Sequence, residues 1–225
     1  MRNGIFILFF ILLDFHYASA QDFSCSDTLQ LHQKLTEIRK RDQGARARII
    51  KDLESKTPEA IRSAALEMKI SDRTNQLFIA ALLDKCGWPQ GLSTIENNTI
   101  FLVIDHADTA FMAKYFPMLK TQCDRGVVAK SDYATMQDRM QLRNGQKQTY
   151  GTQTFKVGML VTIWPIEELV SLDSRRRAMG LLPMMDYINL LNQTYKSEVV
   201  WDKEMTLEQA KERITGKNLN GNVIH

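Results

Sequence analysis

The sequence predicts a mainly α fold: a single-domain, multi-helix array with one small β-hairpin near residues 148–163. Three observations lead there. Apolar residues recur at steps of three and four over most of the chain, the period of a helix with one buried face. Start and stop signals stand between those stretches, among them the capping-box spacing Ser93-Thr94-Ile95-Glu96 and a glycine, Gly87, directly after the periodic stretch that ends at Cys86. Only around Gln148 to Ile163 does the pattern change to strand-like runs broken by a turn near Gly158.

The first helix is expected from Asp27 to about Glu54, with its stripe at Leu31, Leu35, Ile38, Ala45, Ile49 and Leu53. Asp42 fills a gap in that stripe. A carboxylate on an apolar face needs a cation, and Arg46 lies one turn on, with Arg139 as the other candidate partner. Thr57-Pro58 opens a second helix to about Lys69, since proline suits a first helical position. Ser71-Asp72 reads as the start of a third, ending at Cys86. The next begins at Ser93 and carries Ile100, Phe101, Val103 and Ile104, with Asp105 and His106 at its end. Asp108 is placed to cap the one that follows. Ser131 or Asp132 is expected to cap the helix that ends near Asn144.

Asp138 and Arg139 are neighbours on that last helix and point about 100° apart, so they serve different faces. Beyond it, Gln148 to Gln153 carries amides and hydroxyls at both parities around Gly151, which suits an exposed edge or the wall of a polar site. With Thr154 to Val157 it is read as one polar strand, and Met159 to Ile163 as its apolar partner. Leu172 to Met179, Pro183 to Tyr195 (apolar face Met184, Met185, Ile188 and Leu191) and Thr206 to Ile214 complete the helices.

Of the side chains, 44% are hydrophobic and 24% charged, and the net charge is +3. That supports an ordinary core. The dense basic run Arg175-Arg176-Arg177 has no aromatics interleaved, so no nucleic-acid partner is expected. Arg2, the apolar run Ile5 to Leu13 and Ala18-Ser19-Ala20 have the form of a secretory signal peptide cleaved after Ala20. The run is shorter than the roughly 20 residues a membrane span needs, so no stable membrane insertion is expected. The domains are therefore read as 1–20 signal peptide, 21–215 helical domain and 216–225 disordered tail, in a secreted or periplasmic protein. Cys25, Cys86 and Cys123 allow one disulfide and one odd thiol in such a compartment, or three buried free thiols.

Several short motifs follow one another along the chain: Asp42-Gln43-x-x-Arg46, Gly87-Trp88-Pro89, His106-Ala107-Asp108, Asp138-Arg139 and Gln148-x-Tyr150-Gly151-Thr152-Gln153. Pro165-Ile166-Glu167 and Arg176-Arg177-x-x-Gly180-Leu181 come after them. In these the chain resembles the DUF6624 family, many of whose members are bacterial, over most of its length past residue 20. The Tyr-Gly-Thr-Gln and His-Ala-Asp elements are the specific parts. Asp105 departs from the pattern, which is expected to have glutamine before the histidine. The resemblance implies that these scattered polar residues belong to one site; it implies no activity.

The chain has no nucleophile elbow, no His-Glu-x-x-His, no phosphate-cradling glycine loop and no Ca²⁺ loop. Its histidines past residue 20 are His32, His106 and His225. Asp105-His106-x-Asp108 offers one or two ligands where a metal site needs three or four, so neither a metal nor another cofactor is expected. The candidate catalytic residues are His106, as general acid or base, and Asp138. Asp42, Gln43, Arg46, Arg139, Gln148, Tyr150 and Gln153 are the candidate binding residues for a small anionic or peptide-like ligand, with His106 expected to face Tyr150 or Gln148. The functional expectation is a hydrolase-like enzyme. The alternative is a non-catalytic binding or interaction module whose polar cluster is a structural network.

Overall fold

The computed structural model describes residues 24–55 and 57–216. The expected signal peptide, its cleavage point and all but the first residue of the expected tail lie outside them. Two long helices, α1 (Thr28–Ser55) and α2 (Pro58–Cys86), run antiparallel. Arg41 reaches Asn75, and Arg46 reaches Asp72, which fixes their register. α1 buries Leu35, Ile38, Asp42 and Ala45 on one face, so the interrupted stripe is real and Asp42 is inside.

The break expected between Lys69 and Ser71 is absent. No glycine or proline interrupts this stretch, and Ser71 and Asn75 continue the buried stripe of Ala64, Ile79, Leu82 and Leu83. A Ser-Asp pair marks a helix start only where the chain is free to leave helical geometry. Here the packing of α2 along α1 holds it in place.

α3 (Thr94–Asp105) is buried over most of its second half, from Thr99 on, and packs against α1 and α2. It begins with the expected capping box at Ser93 and Glu96. α4 (Thr109–Asp124), capped by Asp108, and α5 (Lys130–Arg143) also pack on α3 and close this core. Neither Ser131 nor Asp132 caps α5; Ala129 holds that position, and Asp132 instead accepts from Asn98 Nδ2 at 2.9 Å.

The remaining chain builds a smaller sheet layer. β1 (Thr154–Val157) and β2 (Leu160–Ile163) form the expected antiparallel hairpin, with Thr154 opposite Ile163. A third strand, β3 (Val199–Val200), joins β2 in parallel, which the hairpin expectation missed. Two residues are too short to show a strand period, and their pairing is decided by how α7 returns the chain. α6 (Leu172–Ala178), α7 (Met184–Tyr195) and α8 (Leu207–Thr215, capping box at Thr206) complete the layer. Val161, Ile163, Ile166, Leu172, Met184, Ile188 and Leu191 form its core. Met185 is exposed, because the stripe of α7 runs through residues 184, 188 and 191 and leaves 185 about 100° off it.

The polar run Gln148 to Gln153 is a loop, not the start of β1. One parallel bridge, Gln148 to Ile166, is all its strand character. No described helix is long and apolar enough to cross a membrane.

Candidate functional site

α3 ends at His106, whose backbone N–H turns back on Leu102 and Ile104. Two residues later Asp108 caps α4 by accepting from the Phe111 N–H at 2.8 Å. This tight corner between two capped helices holds the His106 ring against the middle of α1. There Nδ1 lies 3.0 Å from Asp42 Oδ1.

Asp42 is 2% exposed. Its Oδ1 also receives Arg46 Nη1 at 2.8 Å, and its Oδ2 accepts from Gln43 Nε2 at 2.7 Å. Burial, the largest single influence, pushes its pKa up. The His106 bond and charge, Arg46 and Gln43 together outweigh it and hold the carboxyl below the usual range. Arg46 continues to Asp72 Oδ1 on α2 at 3.0 Å. Four charged or titratable side chains on three elements thus meet at one point.

Asp105, beside His106, is buried and paired through Oδ2 with Arg139 Nη1 at 3.0 Å; its Oδ1 has no hydrogen-bond partner among the described residues. Burial raises its pKa against the pull of Arg139, His106, Arg143 and Arg46. Arg139 Nη1 also donates to the Asp105 carbonyl at 2.8 Å, and Arg143 Nη1 to the Ala107 carbonyl at 3.0 Å. The two guanidiniums, one turn apart on α5, satisfy carbonyls that the end of α3 leaves open. Burial, then repulsion from Arg139, lowers the pKa of Arg143. Arg139 Nε donates to Gln153 Oε1 at 3.2 Å, so Gln153 joins this second group.

Asp138 does something else. It is 0% exposed, and four donors fill its two oxygens: the N–H groups of Thr149 and Tyr150 on Oδ1, and the N–H and hydroxyl of Thr152 on Oδ2, all at 2.8–2.9 Å. Burial raises its pKa and these bonds oppose the rise. The carbonyls of the same loop are held from the other side. Thr149 accepts from Arg175, Tyr150 and Gly151 from Arg176, and Thr152 from the Tyr187 hydroxyl.

Gln148 is equally enclosed. Its Nε2 donates to the carbonyls of Gln153 and Trp164, and its Oε1 accepts from the Gln153 N–H. Gly151 has φ +72°, and a Cβ there would stand 2.6 Å from Ile166 Cδ1. The Tyr-Gly-Thr-Gln element is therefore a clasped loop. Tyr150 is half-buried on it, with its pKa raised first by burial.

The structure thus brings Asp42, Gln43, Arg46 and His106 into one cluster. Arg139 and Gln153 adjoin it through Asp105. Asp138 and Gln148 belong to the loop clasp, with no oxygen open to a substrate. Tyr150 shares no described contact with His106. The expectation that His106 faces Tyr150 or Gln148 gives way to its bond with Asp42, because the α3–α4 corner turns the ring toward α1. Asp72 was missed as a site residue. In sequence it looks like a helix start, and only the α1–α2 register sets it against Arg46.

Asp42, Asp72 and His106 also have one donor atom each within 4.8 Å of one another, a spacing that a metal ion could use. Arg46 already binds both carboxylates and supplies the cation of this cluster. Elsewhere, Cys25 and Cys86 form a disulfide, leaving Cys123 as a buried thiol whose pKa burial raises.

No curated protein and no solved structure matches the chain. One family model does, covering residues 29–200, from the start of α1 to β3. It therefore takes in every residue of the Asp42–His106 cluster and of the loop clasp. On that match the chain belongs to DUF6624, a family of unknown function.

Proposed function

We propose that this protein is a hydrolase-like enzyme of the periplasm or extracellular space, with His106 as its general acid–base and Asp42 as the residue that orients it. The bond between Asp42 Oδ1 and His106 Nδ1 carries this reading. An ionised carboxylate only accepts, so Nδ1 holds the proton and the lone pair of the neutral ring rests on Nε2. Nε2 has no hydrogen bond among the described residues, and the His106 side chain is 18% exposed, within reach of water. In this reading Nε2 takes a proton from water as the oxygen attacks a small anionic or peptide-like substrate. It then returns that proton to the leaving group.

A second reading has its own support. Arg46 bridges Asp42 and Asp72 and so ties α1 to α2, while His106 ties in the end of α3. In a binding or interaction module the same network would serve stability alone. His106→Gln separates the two, assayed against a panel of ester, amide and phosphoester substrates beside melting curves. The enzyme reading expects about 10²–10⁴-fold loss of rate with the melting temperature retained. A lowered melting temperature with no activity depending on His106 would establish the structural reading instead. The disulfide supports an oxidising compartment. Intact mass of exported protein, expected to begin at Gln21, tests the export half separately.

A further inference from the structure

Away from the Asp42 cluster, the first turns of α1 and the last turns of α2 enclose a cavity of about 580 Å³, the size of a small-molecule site. Its apolar walls are Leu31, Phe78, Leu82, Trp88 and the Cys25–Cys86 disulfide. These walls are fixed in place. The Trp88 indole donates to Asn97 Oδ1 at 2.7 Å, and Asn97 Nδ2 is in turn held by the carbonyls of Leu92 and Ser93. The disulfide fastens the residues before α1 to the last residue of α2.

The polar groups of the rim differ in what they have left to offer. Lys34 and Glu37 are paired with each other at 2.9 Å, and Asp27 accepts from the Gln30 N–H. Lys34, the one cation among the lining residues, is thus committed to Glu37, and the rim offers nothing to an anionic group. The side-chain amides of Gln30 and Gln33 line the cavity and make no hydrogen bond among the described residues. An aromatic wall with sulfur at one side suits a flat apolar group. Two free amides offer a donor and an acceptor to a group of the same kind.

We propose that this cavity binds a neutral aromatic compound carrying an amide, with the ring against Trp88 and the disulfide and the amide on Gln30 and Gln33. The site shares no residue with the Asp42–His106 cluster and stands independently of the enzymatic reading.

The test is an NMR titration of the disulfide-intact protein with two probes, indole and N-acetyltryptophanamide. Saturable amide shifts are expected in residues 24–37 and 78–90, with N-acetyltryptophanamide the tighter of the two. Gln33 is exposed, so Gln33→Trp blocks the mouth without touching the core, and both probes should bind about tenfold more weakly or worse at an unchanged melting temperature. Gln30→Ala should weaken N-acetyltryptophanamide and leave indole unaffected. The proposal is overturned if neither probe gives saturable shifts, if the shifts lie elsewhere, or if Gln33→Trp binds like the wild type. Equal affinity for the two probes overturns the choice of an amide-bearing ligand.

Discussion

Asp42 and His106 lie 64 residues apart in the chain and meet with 3.0 Å between Oδ1 and Nδ1. One side of this contact is closed and the other is partly open, since Asp42 is 2% exposed and the His106 side chain 18%. The carboxylate is thus committed to the ring, to Arg46 and to Gln43, while the second ring nitrogen has no hydrogen bond among the described residues.

Asp42→Ala is expected to destabilise the fold by about 3 kcal/mol, the lower end for breaking a buried ion pair, because Asp72 remains to hold Arg46. Removing both carboxylates leaves the guanidinium without either partner. Asp42→Ala/Asp72→Ala should therefore cost more than the sum of the single substitutions. Urea unfolding of the three variants and the wild type measures this; strict additivity would show that Arg46 does not couple the two acids.

The acid dependence of stability should carry two opposite contributions. Asp42 has its folded pKa below the ordinary 3.8, so the unfolded chain takes up the proton first. Its contribution is complete above that value and is lost as pH falls through the folded pKa. Asp105 has its folded pKa raised above 3.8 by burial, so the folded protein holds that proton more tightly. Its contribution is complete below 3.8 and is lost as pH rises through the folded pKa. Asp42→Asn should flatten the stability profile below about pH 4, and Asp105→Asn should flatten it just above. Urea midpoints between pH 3 and 7 give the sign of each directly.

Gly151→Ala should destabilise the protein by about 1–2 kcal/mol from its positive φ alone, with more from the contact at Ile166. Ile166→Val removes the Cδ1 atom that the new methyl would strike. In a double-mutant cycle the pair should recover the steric part and keep the backbone part. If Ile166→Val recovers nothing, the close approach is not what excludes a side chain at 151.

The Cys25–Cys86 disulfide closes a loop of 61 residues in sequence separation. Loop entropy puts its stabilisation at about 4 kcal/mol, within the usual range for a native bridge. Cys86→Ser and mild reduction should lower the denaturation midpoint alike, and Cys123→Ser, which breaks no bridge, should leave the disulfide contribution intact.

Much of this molecule was legible in the sequence. Caps are local: Ser93 with Glu96, and Asp108, each act within three residues, so their side chains sit where spacing puts them. The buried carboxylate was legible too, because Asp42 interrupts a stripe whose period is a property of the single helix α1, and Arg46 lies on that same helix. The turn at Gly158 and the pairing across it followed from short-range chemistry as well.

What the tertiary structure decided is each case where a side chain meets a distant partner. Asp138 and His106 are both candidate catalytic residues in sequence. Asp138 is filled by backbone N–H groups of a loop that loses its strand geometry to wrap it, and His106 is turned by the α3–α4 corner onto α1. Ser71-Asp72 reads as a boundary until α1 lies alongside and keeps α2 straight, which also brings Asp72 to Arg46. β3 pairs only because α7 returns the chain beside β2. Helical period and capping depend on neighbours within a turn. The partner of a buried charge depends on how whole helices are docked, and nothing local in the chain encodes that.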